Sequence, residues 1–361
     1  MRFRCIFVRA IATVGTSVAG CTAFAAPPMD CPALPDLPAL HCVSNAHGWF
    51  YAGTPDAAAN LAADASSVAM EFSRYFGRPA PRGAVIAAGT AQAIPASTSE
   101  ALKVAGATWQ LPWLDAQERR NLQRGALEKQ LRARLPDADE ADIRARVDAA
   151  MPAQPAIAVD ATDRSALRHE IGHMALMRAF WPAPSGGSAA AGHYGGPGPD
   201  WLDELAAVLM ESRTMADSRR ALLDEPEAPT RLRPLDDFFT QAHPMAAQLP
   251  ALQAQAQAEA GTGASVRMIS GDTAQRLASD ARWFYAQARS VADFLLAASD
   301  DPAVFGSIAA FLADGGDMDS WLAAHGAQYG LPTTVAAMDA AWTQWLAARR
   351  PHPATEAPPA R

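Results

Sequence analysis

Two histidines four residues apart, the first followed directly by a glutamate, constrain this chain more than any other feature: His169-Glu170-Ile171-Gly172-His173. On a helix, positions i and i+4 lie about 6 Å apart on one face. Two imidazoles at that spacing can meet one metal ion, so the pattern demands a helix here. The flanks agree. Thr162 or Asp163 can cap its start, Leu167, Ile171 and Ala175 form an apolar stripe, and Pro182 lies just beyond an end near Trp181. A catalytic-type metal site also needs a third protein ligand and one open position. Another element must therefore reach back to this helix.

The run from Met174 to Phe180 contains no histidine, which excludes the arrangement that adds a third His shortly after the motif. The other familiar arrangement takes a glutamate from the next helix. Pro199-Asp200-Trp201-Leu202-Asp203-Glu204 offers one. Asp200 can cap a helix running from Trp201 to about Met215, with Glu204 in its first turn. Thirty residues separate His173 from Glu204. The Gly-, Pro- and Ser-rich loop at 182–199 accounts for that length, because long loops close at little extra entropic cost. His169, His173 and Glu204 are thus the expected ligands of one zinc ion, and Glu170 the expected general base toward water. Asp200 and Glu211 come next should Glu204 not serve.

At this point the chain resembles the peptidase MA-like superfamily, the gluzincin zinc metallopeptidases related to thermolysin and the aminopeptidases. Trp201-Leu202-Asp203-Glu204 is similar to the family's Trp-Leu-x-Glu segment. Pro234-Leu235-Asp236-Asp237-Phe238, Phe284-Tyr285-Ala286 and Trp342-Thr343-Gln344-Trp345-Leu346 resemble later family segments. The likeness covers about 45–80 and 156–346. It departs at a charged insertion near 90–150 and at Leu205, where the family often has Gly. The resemblance implies that Glu170 activates water and that Tyr285 stabilises the oxyanion of the tetrahedral intermediate. His193 and Tyr194 are rivals for that second role. Asp203 would orient a ligand from behind, or simply favour the helix N-terminus. Trp201, Trp283 and Trp345 read as core.

The function so implied is an exported zinc metallopeptidase acting on a peptide or protein substrate. The alternative is a catalytically inactive relative that serves as a binding or envelope-assembly module. A metal-buffering protein fits poorly, because the other histidines are scattered.

The rest of the chain reads as an α+β fold. A small N-terminal α/β lobe with a short mixed sheet occupies 26–155, and a mainly helical, zincin-type part occupies 156–348. Strands are expected at Gly48 to Ala52, Ala84 to Ala88 and Ala156 to Val159, the last as a possible edge for a bound peptide. A helix from Asp56 to Phe76 follows the first strand. Charged helices at 115–135 and 140–151 read as a solvated hairpin without chemistry. Residues 218–250 read as irregular and 251–260 as helical or loosely ordered. A long helix from Asp272 and two or three shorter ones follow, around Val304 to Leu312, Met318 to His325 and Val335 to Leu346. A disordered tail is expected at 349–361.

Residues 1–25 read as a signal peptide. Arg2, Arg4 and Arg9 form its basic start, and Ala23-Phe24-Ala25 a cleavage site. Val18-Ala19-Gly20-Cys21 also resembles a lipobox, which would leave Cys21 lipidated as the one link to a membrane. Both readings place the protein in the bacterial periplasm or outside the cell. Cys31 and Cys42 would then meet an oxidising compartment and pair. The net charge of −8 gives no basic footprint for nucleic acid. Substrate identity and oligomeric state are not encoded in any motif.

Overall fold

The computed structural model describes residues 30–37, 39–89, 94–151, 156–182, 196–246, 271–299 and 301–349. Its fold is α+β, as expected, with a four-stranded mixed sheet near the N-terminus followed by helices. β1 (His41–Asn45) and β2 (Gly48–Ala52) form an antiparallel pair. β3 (Gly83–Ala87) and β4 (Trp109–Pro112) extend it in parallel, in the order β1-β2-β3-β4. Each parallel step needs a crossover. α1 (Pro55–Phe76) and α2 (Ala96–Val104) supply them. Phe50, Ala52 and Val85 face the main core, while Trp49, Tyr51, Ala84 and Ile86 pack with Leu102 of α2 on the other face. Burial on both faces explains why β2 and β3 read as short apolar runs.

β1, α2 and β4 have no counterpart in the sequence reading. Because α2 and β4 complete the sheet, the charged insertion expected from about residue 90 begins later. It is a hairpin of α3 (Ala116–Arg134) and α4 (Glu140–Ala150). The Cys31–Cys42 disulfide is present and ties the leading segment to β1. Trp49 Nε1 and Tyr51 Oη donate to the carbonyls of Asp30 and Pro32, holding the same segment over the sheet.

α1 joins the sheet to the helical part. Thr54 caps its start, and Gly77 ends it with φ of 66°, a left-handed conformation that suits glycine. Its Asp64, 3% exposed, receives two hydrogen bonds of 2.9 Å from Arg164 of α5 (Ala156–Phe180). Phe76 packs on Phe180 at the far end of α5, with ring centroids 5.9 Å apart. Both halves of α5 are thus fastened to α1.

The strand expected at 156–159 is instead the first turn of α5. Four apolar residues without alternation fit a helical turn as well as a strand, and neither Gly nor Pro interrupts the run to Phe180 except Gly172. The segment therefore offers no edge to a peptide, and the outer strands of the sheet are β1 and β4.

α6 (Asp200–Met210) is buried at all eleven positions. It ends before the expected Met215, because Ser212 caps a new helix, α7 (Arg213–Leu222), by accepting from Met215 N. The segment expected to be irregular also holds α8 (Ala228–Arg231) and α9 (Leu235–Thr240). α10 (Gly271–Ala298) lies across α6 and α7. α11 (Val304–Ala313), α12 (Met318–His325) and α13 (Val335–Arg349) close the core near the expected places. Trp201 and Trp283 are core, and Trp345 stands edge-on to Phe294 at 5.8 Å.

Residues 1–25, expected to be a signal peptide, residues 251–260, His193, Tyr194 and the tail beyond 349 lie outside the described residues. Among those described, no helix is long and apolar enough to cross a membrane.

Candidate metal centre

α5 and α6 meet at Gly172. A Cβ at that position would come within 3.0 Å of both Ala207 Cα and Met210 Cγ. The missing side chain, opposite the small pair Ala206 and Ala207, lets the two backbones approach closely. That approach sets the first turn of α6 against the middle of α5.

Three donors converge there. The Nε2 atoms of His169 and His173 lie 3.1 Å apart. Glu204 Oε2 is 3.4 Å from His169 Nε2, and Glu204 Oε1 is 3.8 Å from His173 Nε2. One ligand atom from each residue lies within 4.8 Å of the others. Donors held at about 2.0–2.2 Å around a tetrahedral ion stand roughly 3.3–3.5 Å apart; the 3.1 and 3.4 Å separations come close to that, and the Glu204–His173 contact is longer. Glu204 Oε2 is buried with no hydrogen-bond partner. An unsatisfied carboxylate oxygen in the core is costly, and a cation at this point would relieve it. Among the described residues, no second group of His, Cys and acidic side chains converges in this way.

Each of the two imidazoles has a buried carboxylate behind it. His169 Nδ1 lies 3.1 Å from Glu211 Oε1, which is itself 2.9 Å from Arg219 Nη2. His173 Nδ1 lies 2.8 Å from Asp203 Oδ1, a close charge contact without good hydrogen-bond alignment. Both rings thereby turn Nε2 to the centre, which is the usual work of such partners. The backup ligands Asp200 and Glu211 are assigned other places. Asp200 accepts the His243 backbone N–H at 2.7 Å, and Glu211 stands behind His169.

No protein-family model, curated protein or solved structure matches the chain. The reading of the centre rests on its own chemistry.

In the metal-free protein, burial alone would lower both histidines. The carboxylates of Glu204 and Glu211 outweigh it at His169 and raise that group to about 10. Asp203 and Glu204 raise His173 to about 9. Burial pushes Glu204 up, but two imidazoles overcome it and draw the group down to about 2. Asp203, with burial as its largest influence, stays above the ordinary range despite His173. The carboxylates thus favour positive charge at both imidazoles, and a metal cation at this point would take the place of those protons.

Glu170 is half-buried on α5, one residue after His169 and three before His173. Tyr285 of α10 lies beside His169. Its ring is edge-on to His169 with centroids 5.6 Å apart, and the Arg219 guanidinium lies 4.7 Å from it. The residue that sequence reasoning missed is His243, wholly buried, with Nε2 3.3 Å from Glu204 Oε1. A single His before Pro244, in a segment without periodicity, carries no signal of that role.

Proposed function

We propose that this chain is an exported zinc metallopeptidase of gluzincin type, with His169, His173 and Glu204 as ligands. The observation that carries the proposal is the buried convergence of His169, His173 and Glu204, with Glu204 Oε2 otherwise without a hydrogen-bond partner, beside the Glu170 that shares a helix with both histidines. Zinc suits two imidazoles and a carboxylate with a fourth position left open. When bound, such an ion supplies Lewis acidity toward a carbonyl oxygen and makes a neighbouring water more acidic.

The chain's own residues then have distinct tasks. Glu170 takes the proton from the attacking water and passes it to the leaving amine. Tyr285, placed beside His169, is the donor toward the developing oxyanion. Asp203 and Glu211 keep the imidazoles in the tautomer that presents Nε2. The Cys31–Cys42 disulfide supports an oxidising compartment, in keeping with the signal segment.

Glu170→Gln is the test. The variant should hold zinc in the same one-to-one ratio as the wild type while losing about 100-fold to 10,000-fold of peptide hydrolysis. A wild-type protein that carries one zinc but cleaves nothing in a broad library of quenched peptides would sink the peptidase reading. It would leave a metal-bearing binding module.

A further inference from the structure

His243 lies outside the two helices that carry the ligands, yet it is fixed against them from several sides. Its Nδ1 accepts the Met245 backbone N–H at 3.2 Å. The ring hydrogen therefore sits on Nε2, the nitrogen that faces Glu204 Oε1 at 3.3 Å. The backbone N–H of His243 donates to Asp200 Oδ2 at 2.7 Å. Asp200 is one turn before Glu204 on α6, so the helix that presents the carboxylate also anchors the histidine. The ring is stacked on Tyr285 with centroids 5.6 Å apart, and it stands edge-on to Phe284 at 5.3 Å. A fourth ligand would have to share the point on which the triad converges. His243 does not belong to the group whose atoms lie mutually within 4.8 Å.

The two oxygens of Glu204 consequently differ. Oε2 is buried, without a hydrogen-bond partner, and 3.4 Å from His169 Nε2. Oε1 lies 3.3 Å from His243 Nε2, a charge contact short of hydrogen-bond alignment. A carboxylate meets a metal through one oxygen or through both, and the second mode fills a position that water or substrate would use. The geometry points to His243 as a positioning residue that engages Oε1, so that Glu204 serves the metal through Oε2 alone and one coordination position stays open. This rests on the metal-centre reading given above. It adds a function for a residue outside the HExxH…E pattern.

The experiment compares His243→Gln with His243→Asn in the full-length mature protein. Gln carries an N–H to roughly the reach of Nε2, whereas Asn has the same amide one methylene short. Zinc affinity, from competition with a chromophoric chelator, should stay within about 3-fold of wild type for His243→Gln. It should fall about 10-fold to 100-fold for His243→Asn, the usual range for groups that orient a ligand. The visible spectrum of the cobalt-loaded protein should shift toward higher coordination in His243→Asn only. Equal affinities and identical cobalt spectra in all three proteins overturn the inference and leave the metal centre standing. A wild type that takes up no zinc overturns the metal centre itself, and this inference with it. X-ray absorption on the zinc-loaded wild type decides the matter without a variant should His243→Asn not fold. One carboxylate oxygen near 2.0–2.2 Å supports the inference, and two equivalent ones overturn it.

Discussion

The α3–α4 hairpin and the α5–α6 pair are both antiparallel-looking runs of helix rich in acids, but they place those acids in opposite surroundings. In the hairpin, Arg124–Asp148, Arg132–Glu128, Arg132–Glu140 and Arg146–Asp142 stand with about half of their side-chain surface in water, and α3 buries no residue at all. In the pair, Asp200, Asp203, Glu204 and Glu211 are all buried, and each is met by an imidazole, a guanidinium or a backbone N–H. Exposed pairs of the first kind contribute about 0–1 kcal/mol each and are screened by salt. Acids of the second kind lose their hydration, and their burial is tolerable only with close partners; Glu204 Oε2 still lacks a hydrogen-bond partner among the described residues. A hydrophobic helix would hold the core at least as well. The costly arrangement persists where the arrangement of charge is itself the product of the fold.

Mutation should separate the two regions sharply. His169→Ala or His173→Ala should lower zinc affinity by about 100-fold or more, read by chelator competition. Glu204→Ala should do likewise, and unchanged affinity there would remove it from the ligand set.

Proton linkage gives the next effect. The raised His169 and His173 contribute stability to the metal-free protein that is whole below their ordinary 6.5 and is lost as pH rises through about 9 and 10. Zinc must displace those two protons. Its affinity should therefore climb with pH by up to about 100-fold per unit below about 9 and level off above about 10. Opposite slopes in apo melting temperature and in zinc affinity are the expected result, and parallel slopes would show that the imidazoles are neutral before metal arrives.

Gly172→Ala sets two terms against each other. Alanine gains about 1 kcal/mol of helix propensity, but its Cβ would press on Ala207 Cα and Met210 Cγ at 3.0 Å, and overpacking costs about 1–3 kcal/mol. The packing term should win. Denaturant melts should show net destabilisation, with a loss of zinc affinity larger than any single exposed charge could cause.

At the bottom of the scale, Arg124→Ala and Arg132→Ala should each shift stability by less than about 0.5 kcal/mol and leave zinc binding alone. A larger shift would mean that the hairpin has a structural partner beyond its contacts with the start of α5, among them the Arg119–Asp163 ion pair.

Those residues that advertise themselves by spacing were readable before any coordinates. His169 and His173 follow from helical geometry, Glu204 from its place in the first turn of the next helix, although Pro199 and not Asp200 stands at its cap, and the mixed α+β arrangement from the change of period along the chain. Three kinds of residue were not readable. Ala156 to Val159 is too short for its pattern to separate strand from helix, so a substrate edge was expected where α5 begins. β4 is only four residues long and carries Pro112, which hides a strand that pairs through β3 alone. His243 is placed by long-range contacts to Asp200, Glu204 and Tyr285, and no local pattern encodes a partner forty residues away.

α6 has no face turned to water, and this sets an order of events during folding. An isolated helix of eleven residues is marginal in solution. This one would also hold Trp201, Leu202, Leu205 and Leu209 exposed until neighbours arrive. Its acids gain nothing from leaving water until the imidazoles of α5 are in place to meet them. Helix formation and docking should therefore occur together and late, after the sheet, α1 and α5 have assembled. Conservative truncations in α6, such as Leu205→Ala, should then speed unfolding far more than they slow refolding.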